Sequence, residues 1–428
     1  MSNGEPSSVS FRALDLSEPL LRAIGERGYD APTPVQAAVI PAVRRGADVW
    51  ASAQTGSGKT AAFVLPILEA LSRRPRHAPR RLGALVLVPT RELAVQIGDA
   101  ARAYGRHLPE RVEIRVVFGG VSINPQMMAL RGGADLVVAT PGRLLDLIEK
   151  NALSLASVAT LVLDEADRLF DHGFADELTR ILALVPARRQ MLLLSATFPP
   201  AVQALAASVL RDPVRVEIVS SRESAPDIVQ RAIEVDRPRR TQLLRHLLAE
   251  HGSGRALVFV ATTYATEHVA DKLRGLGISA VPLHGKLAQG ARMRALEDFR
   301  SGRIRVLIAT DVAARGLDIA SLPLVVNYDL PRAPADYLHR IGRTGRAGES
   351  GHAISFLVAD AHAHFRLIER RHGFDVPRER IAGFEPIEAP AAPTTGGVKG
   401  KRKSKKDKLR EAAEKAGKSD TSADSEEG

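Results

Sequence analysis

Two short segments carry residue types whose spacing suits phosphate chemistry, and the first is the loop Ala53–Thr60. It has the spacing of a phosphate-binding P-loop, with Ala in the first position where the general pattern has Gly; a glycine-rich turn that matches by chance is the alternative. Small residues let backbone N–H groups curl around a polyphosphate at the positive end of the following helix. Lys59 would reach the β- and γ-phosphates, and the Thr60 hydroxyl would join the Mg²⁺ shell. The predicted nucleotide-binding residues of the loop are Ala53, Gln54, Thr55, Gly56, Ser57, Gly58, Lys59 and Thr60.

The second segment is Asp164-Glu165-Ala166-Asp167, which directly follows the apolar run Leu161–Leu163. In a P-loop sheet, a carboxylate at the end of a strand beside the P-loop strand holds Mg²⁺, and a following Glu can deprotonate the attacking water. Two adjacent acids in a loop usually form only a solvated turn. Here the preceding apolar strand and the upstream P-loop favour catalysis, with Asp164 and Thr60 as the Mg²⁺ ligands.

Alternating strands and helices must position these segments. Asp48–Ser52 is typical of a buried strand and Thr60–Ala70 of an apolar helix, while Phe11–Arg27 favours a short helix near the start. Continuous Val/Leu runs indicate strands buried on both faces of a parallel sheet. Because the pattern breaks near Arg211–Gln230, we predict two α/β domains. The other apolar runs are Leu85–Val88, Ile114–Phe118, Leu136–Ala139, Met191–Leu194, Ala256–Val260, Val306–Ala309, Leu324–Asn327 and Ile354–Val358.

Length and composition limit the class of protein. A chain of 428 residues suits two or three domains. No apolar run approaches the roughly 18 residues of a membrane span, and Met1–Ser10 lacks the features of a secretory signal, so we expect a cytoplasmic protein with no membrane partner. The absence of cysteine excludes disulfides and cysteine-ligated zinc. A formal charge of +11 indicates a polyanionic partner, although genomic bias can also produce a basic pI.

With these residues in view, the sequence from about Phe11 to Val358 resembles the DEAD-box RNA helicases of superfamily two. The order and spacing of that family's motifs agree throughout, and the short build resembles bacterial members. The matching segments are Phe11, Gly28-Tyr29, Pro32-Thr33-Pro34-Val35-Gln36, Pro89-Thr90-Arg91-Glu92-Leu93-Ala94, Gly119-Gly120, Thr140-Pro141-Gly142-Arg143, Ser195-Ala196-Thr197, Val258-Phe259-Val260, Gln289 with Arg292, 309–318 and 337–346.

The resemblance implies an α/β fold of two tandem RecA-like parallel-sheet domains joined by a short linker. The expected organisation is a disordered N-terminus (1–10), a first helicase domain (11–215), a linker (216–230), a second helicase domain (231–383) and a disordered basic tail (384–428). Ten of the residues from Lys399 to Lys418 are Lys or Arg, against three acids. We expect this tail to add salt-dependent RNA affinity; a merely solubilising tail is the alternative.

The resemblance also implies an ATP site. The Gln36 amide can both accept from and donate to adenine, and Phe11 could stack on its ring; the alternative for Phe11 is an apolar anchor of the first helix. Asp318 is expected to bond the ribose. Arg343 and Arg346 are expected to be arginine fingers on the γ-phosphate, so hydrolysis requires the two domains to close.

The remaining predicted site residues contact RNA or couple RNA to ATP. Hydroxyls, glycine backbone and arginines suit phosphate and 2′-OH groups, so the resemblance implies binding without sequence preference. The expected RNA-binding residues are Arg91, Gly120, Thr140, Arg143, Gln289, Arg292, Thr310 and Arg315. The expected coupling residues are Ser195, Thr197 and His339.

These features predict an ATP- and Mg²⁺-dependent RNA helicase. The expected activity is RNA-stimulated ATP hydrolysis that separates short duplexes locally and non-processively, with a monomeric catalytic unit bound to single-stranded or short duplex RNA. An ATP-controlled RNA clamp or annealing chaperone is an alternative within the family, and a DNA helicase is an alternative outside it. Ribosomal or RNA-decay partners would be recruited by the tail.

Overall fold

The structure, a computed structural model, describes residues 10–53, 56–218, 228–314, 322–334, 336–345 and 350–388. Five expected site residues therefore lie outside the described residues: Gln54, Thr55, Arg315, Asp318 and Arg346. Residues 1–9 of the expected N-terminus, 219–227 of the expected linker and the expected tail beyond residue 388 also lie outside them.

Two seven-stranded sheets organise the chain, and every pair of neighbouring strands is parallel. The first sheet contains β1 (Val49–Ser52), β2 (Ala84–Leu87), β3 (Ile114–Val117), β4 (Leu136–Ala139), β5 (Thr160–Leu163), β6 (Gln190–Ser195) and β7 (Val214–Glu217). The second contains β8 (Ile228–Glu234), β9 (Ala256–Phe259), β10 (Ala280–Leu283), β11 (Val306–Ala309), β12 (Leu324–Asn327), β13 (Gly351–Leu357) and β14 (Arg378–Glu379). The strand orders are β3-β4-β2-β5-β6-β1-β7 and β10-β11-β9-β12-β13-β8-β14.

Helices connect the strands and cover both faces of each sheet. Those of the first domain are α1 (Glu18–Gly25), α2 (Pro34–Arg44), α3 (Lys59–Ser72), α4 (Arg91–Gly105), α5 (Asn124–Leu130), α6 (Pro141–Glu149), α7 (Ala166–Asp171), α8 (Ala175–Leu184) and α9 (Pro200–Val209). Those of the second are α10 (Arg240–Glu250), α11 (Thr263–Gly275), α12 (Gln289–Arg300), α13 (Asp311–Ala314), α14 (Asp336–Ile341) and α15 (His362–His372). No helix among the described residues has the length and apolar character needed to cross a membrane.

The core lies on both faces of each sheet, because successive strand side chains point to opposite sides. In the first sheet, Val86 and Val162 pack on the side of α1–α4, and Leu85 and Leu161 pack on the side of α6–α9. Helices on both faces leave the carboxyl ends of the strands as the place where loops can gather functional side chains.

The two parallel-sheet domains predicted from the sequence are confirmed, but several boundaries differ. The expected helix at 11–27 is a 3₁₀ turn over Phe11–Leu14 followed by α1, because Asp15 adopts a left-handed conformation (φ 58°) between them. The two ends of the expected linker, 216–217 and 228–230, belong to strands β7 and β8 and so to the two sheets. The alternation of apolar and polar residues in β7 suits an edge strand, which a search for continuous apolar runs overlooks.

The start of the expected tail is ordered, contrary to the prediction of disorder from residue 384. The Phe384 ring lies 5.5 Å from that of His246 and 5.3 Å from the guanidinium of Arg239. The Asp236 carboxylate accepts the backbone N–H groups of Ile387 (2.9 Å) and Glu388 (3.2 Å). These contacts attach residues 384–388 to the second domain, a tertiary effect that composition does not reveal.

Candidate active site

The P-loop and the segment around Gln36 are bonded to each other. Gly58 caps α3 with φ 91°, and a Cβ there would lie 2.4 Å from Gln36 Nε2, so only glycine fits. Gln36 Nε2 donates to the Gly58 carbonyl (3.2 Å), and Thr33 Oγ1 donates to the Ser57 carbonyl (2.8 Å). Gln36 Oε1 accepts from the Thr33 N–H (3.0 Å), which closes a capping box at the start of α2. The amide expected to read adenine is therefore held against the phosphate loop.

Lys59 begins α3, where the helix dipole adds positive potential. Its side chain is buried, and Nζ donates to the Ala53 carbonyl at the start of the loop. The solvent-open cleft that contains Lys59 is also lined by Gln36, Thr60 and Asp164. The structure thus brings Gln36, Lys59, Thr60 and Asp164, which are predicted to contact adenine, phosphate and Mg²⁺, into one cleft.

The acidic loop after β5 has a strained backbone. Glu165 adopts φ 51°, a left-handed conformation that costs a non-glycine residue about 1–2 kcal/mol. Burial raises the pKa of Asp164 to about 7, although the charge of Lys59 opposes the shift. Burial also raises the pKa of Glu165, against the opposing charges of Lys59 and Arg343. Strain and buried acids occur together at functional sites, and this loop has both.

Thr60 and Asp164 fit a magnesium ion. They offer a hydroxyl and a carboxylate oxygen in one cleft, and hard oxygens are the ligands that Mg²⁺ prefers. A cation beside Asp164 would offset the cost of burying its charge. The described residues contain no cluster of three or more acids or histidines that could enclose a metal. Mg²⁺ usually takes one or two protein oxygens together with substrate phosphates, which is what these two residues offer.

A hydrogen-bond network joins the acidic loop to the end of β6. Asp167 Oδ2 accepts from both the backbone N–H (3.1 Å) and the hydroxyl (2.6 Å) of Thr197. Ser195 Oγ accepts from the Asp167 N–H (3.1 Å) and donates to the Thr197 carbonyl (2.7 Å). The predicted coupling residues Ser195 and Thr197 therefore bond a residue two positions from Glu165. Asp167 is not among the site residues predicted from the sequence.

The second domain contributes Arg343 and His339 to the same region. A cavity between the domains is lined by Lys59 and Glu165 from the first and by both of these residues from the second. Burial lowers the pKa of His339 to about 4, and the nearby charge of Arg168 acts in the same direction, so the imidazole is neutral near pH 7. The structure thus places one expected arginine finger beside the expected catalytic base.

Four of the expected RNA-binding residues follow strands at the carboxyl edges of the two sheets. Arg91, Gly120, Thr140 and Thr310 come after β2, β3, β4 and β11. Gly120 has φ 78°, and the Arg91 guanidinium occupies the space that its side chain would need. Gln289 begins α12 half-buried, and its amide atoms have no hydrogen-bond partner among the described residues.

Two expected RNA-binding arginines, Arg143 and Arg292, are buried and contact other parts of the protein, and their binding to RNA stays a prediction. Arg292 is 6% exposed and crosses to the first domain, where its Nη2 lies 2.5 Å from Glu92 Oε1. Arg143 Nη2 donates to the Val121 carbonyl (2.8 Å). Buried guanidinium groups need acceptors; Arg292 finds them in Glu92 and the His284 carbonyl, whereas Nε and Nη1 of Arg143 have no hydrogen-bond partner among the described residues.

Phe11 does not line the nucleotide cleft. It is 6% exposed and packs in the core of the first domain, which favours the alternative of an apolar anchor. Tyr29, which is 41% exposed, lines the cleft with Gln36 instead, and the Arg27 guanidinium lies 5.9 Å from its ring centroid. Tyr29 stands in the matching segment Gly28-Tyr29, which was the available signal, but it is not among the predicted nucleotide-binding residues.

Comparisons with known proteins identify the family that the chain resembles in sequence. Residues 33–205 match the family model for the DEAD/DEAH box helicase, and residues 239–348 match that for the helicase conserved C-terminal domain. The chain is 42% identical over 389 residues to an ATP-dependent rRNA helicase of Sclerotinia sclerotiorum, covering 89% of this chain and 80% of that protein. It is 45% identical over 351 residues to the ATP-dependent RNA helicase DeaD of Mycobacterium tuberculosis, covering 82% of this chain and 61% of that protein.

Solved structures share the fold. S. cerevisiae Dbp5 bound to RNA and ADP BeF3 superposes with a TM-score of 0.76 at 32% identity, covering 88% of this chain and 95% of that one. A DEAD box protein from Methanococcus jannaschii superposes with a TM-score of 0.52 at 36% identity, covering 86% of this chain and 99% of that one. Fold and site together define a two-domain, nucleotide-dependent helicase. Within that class, this chain belongs to the DEAD-box family of ATP-dependent RNA helicases.

Proposed function

We propose that this protein hydrolyses ATP only when its domains close on RNA, and that closure separates short RNA duplexes locally. The observation that carries the proposal is the cavity in which Lys59 and Glu165 of one domain meet Arg343 of the other. Neither domain alone contains a complete set for phosphoryl transfer, so turnover depends on their approach.

Each residue of the cleft has a role that suits its chemistry. Tyr29 and Gln36 form the adenine end, and Lys59 holds the phosphates. Glu165 acts as the general base, and its raised pKa makes it a better proton acceptor than an exposed glutamate. Arg343 stabilises the charge that develops on the transferred phosphoryl group. Mg²⁺, held by Thr60 and Asp164, would neutralise the phosphate oxygens when bound.

RNA lies across the carboxyl edges of both sheets in this proposal. Arg91, Gly120, Thr140 and Thr310 are grouped there and offer backbone, hydroxyl and guanidinium contacts that suit phosphate and ribose. The bonds of Asp167 to Ser195 and Thr197 give a direct connection from this edge to the catalytic loop. Binding is therefore independent of sequence, and strand separation is limited to the few base pairs within reach.

The decisive test is RNA-stimulated phosphate release by Lys59→Ala and Glu165→Gln. We expect turnover to be abolished in both, with ATP binding retained in Glu165→Gln because the amide keeps the size of the side chain. Appreciable RNA-stimulated hydrolysis by Glu165→Gln would overturn the assigned roles.

Unwinding and clamping are separated by a second measurement on the native protein. We expect a short RNA duplex to be separated at a rate that depends on ATP, and DNA to give no stimulation. Stable ATP-dependent retention of RNA without strand separation would support the clamp. We also propose a cytoplasmic setting, with ribosomal or RNA-decay partners recruited by the basic segment 399–418.

A further inference from the structure

An ion pair between Arg168 and Asp336 crosses from one domain to the other. Arg168 lies on α7, three residues after Glu165, and Asp336 is the first residue of α14. Arg168 Nη1 and Asp336 Oδ1 are 2.8 Å apart, and the two side chains are 8% and 14% exposed. Removing one partner of a pair this well shielded from water leaves an uncompensated buried charge, which costs more than breaking a surface pair.

Each partner is rigidly attached to a catalytic loop. The Arg168 N–H donates to the Glu165 carbonyl (2.9 Å), so the arginine belongs to the same turn as the catalytic base. On the other side, Arg340 of α14 is bonded to Asp311 through Nε (2.6 Å) and Nη2 (2.7 Å). The Arg343 N–H donates to the Arg340 carbonyl (3.2 Å), which continues the connection to the arginine finger.

The pair can exist only when the domains lie together. Burial alone would lower the pKa of Arg168, but the hydrogen bond and charge of Asp336 outweigh this and raise it, so the guanidinium remains charged. Arg168 also lies 3.5 Å from Asp171 of its own helix, a carboxylate that is 58% exposed. That second contact is within one domain and does not depend on closure.

We propose that Arg168 and Asp336 form a closing ion pair that positions Arg343 opposite Glu165, and that Arg168 is a positioning residue rather than a catalytic one. This inference rests on the proposed function. A contact made only in the closed state raises the closed population, and with it the apparent affinity for every ligand that selects that state. Its loss weakens apparent RNA binding but is overcome by saturating RNA.

The test compares Asp336→Asn with Asp171→Asn, because each removes one carboxylate beside the same arginine. For Asp336→Asn we expect the RNA concentration at half-maximal ATPase stimulation to rise roughly 10- to 100-fold, with kcat at saturating RNA within about twofold of the native value. We expect Asp171→Asn to behave like the native protein. The double variant Arg168→Gln/Asp336→Asn should need no more RNA for half-maximal stimulation than the more severe of its two single variants.

Domain closure can be read without hydrolysis. The chain has no cysteine, so Ala129→Cys and Ala363→Cys, exposed on α5 and α15, accept a donor and an acceptor dye without background labelling. With a non-hydrolysable ATP analogue, energy transfer should rise with RNA to the same plateau in all variants. Asp336→Asn should need roughly 10-fold or more RNA to reach it.

Three results would overturn the inference. They are an unchanged RNA requirement in Asp336→Asn, an equal shift in Asp171→Asn, or a fall in kcat with an unchanged RNA requirement. The energy-transfer assay does not depend on the identity of the catalytic base. An unchanged RNA requirement in this assay would therefore overturn the closing ion pair alone. Hydrolysis by Glu165→Gln would instead overturn the proposed function.

Discussion

The two domains share one strand order, but the charged residues at equivalent positions make different contacts in each. Counted from its own first strand, each sheet runs 3-4-2-5-6-1-7. In the first domain the helix after strand 1 begins with Lys59, and Asp164 follows strand 5. In the second the corresponding helix begins with Arg240, and Asp329 comes shortly after strand 5.

The difference lies in what the cation contacts. Arg240 Nη1 is 2.5 Å from Asp329 Oδ1, and its guanidinium also lies 4.3 Å from the centroid of the Tyr328 ring. Lys59 instead donates to the backbone of its own glycine-rich loop, in an open cleft. Among the described residues, the second domain fills this position with an ion pair, whereas the first leaves an open cleft beside Lys59. The same fold therefore provides an open cleft at this position in one domain and a stabilising ion pair in the other.

The largest expected effect is the difference in kcat between substitutions of Arg343 and Arg240. Arg343→Ala should lower RNA-stimulated kcat by roughly 10³- to 10⁵-fold, because it removes charge stabilisation from the transition state. Arg240→Ala, the matched control, should leave kcat within a few-fold and lower the unfolding temperature of the second domain. Steady-state phosphate release and thermal unfolding measure both, and equal losses of kcat would contradict the division of roles.

The next prediction compares alanine substitutions at one glycine in each domain, Gly58 in the first and Gly373 in the second. Gly58→Ala places a Cβ against the Gln36 amide in a left-handed backbone, so we expect the Kd for ATP to rise at least about tenfold. Gly373→Ala in the second domain has φ 70° but nothing within 4 Å of the added atom. It should cost only about 1–2 kcal/mol of stability and leave nucleotide binding unchanged. Fluorescent-nucleotide titration with thermal unfolding checks both outcomes.

The tail should affect RNA but not catalysis. Removing residues 389–428 retains the ordered contacts of 384–388 with Asp236, which a cut at residue 385 would destroy. We expect roughly tenfold more RNA to be needed for half-stimulation at low salt, a shallower salt dependence and an unchanged kcat. An unaltered salt dependence would show that the tail only solubilises the protein.

The last prediction concerns the pH dependence of stability rather than activity. The folded pKa of His339, about 4, lies below its ordinary value of 6.5. The folded protein therefore binds fewer protons between these values, and the contribution of neutral His339 to stability is lost as the pH falls from about 6.5 to 4. The loss is at most about 3 kcal/mol. His339→Asn should flatten the fall of the unfolding temperature over this range, and an unchanged pH profile would contradict the assignment.

Local chemistry allowed much of this protein to be predicted from its sequence. The P-loop, the acids after a buried strand and the continuous Val/Leu runs each depend on neighbours within about ten residues. They therefore predicted the parallel sheets correctly and pointed to Lys59, Asp164 and Glu165 in advance. Alternating or short strands such as β7 and β14 carry no such local signal, because partners on other segments determine whether they pair.

Only the tertiary structure decided which side chains meet across the chain. Glu92 and Arg292 are 200 positions apart, and Arg168 and Asp336 are 168 apart, yet each pair is buried between the domains. The burial of Phe11 and the exposure of Tyr29 likewise depend on packing around α1. A residue type limits what chemistry is available, but a charge is neutralised, buried or left to solvent by neighbours that folding brings from distant positions.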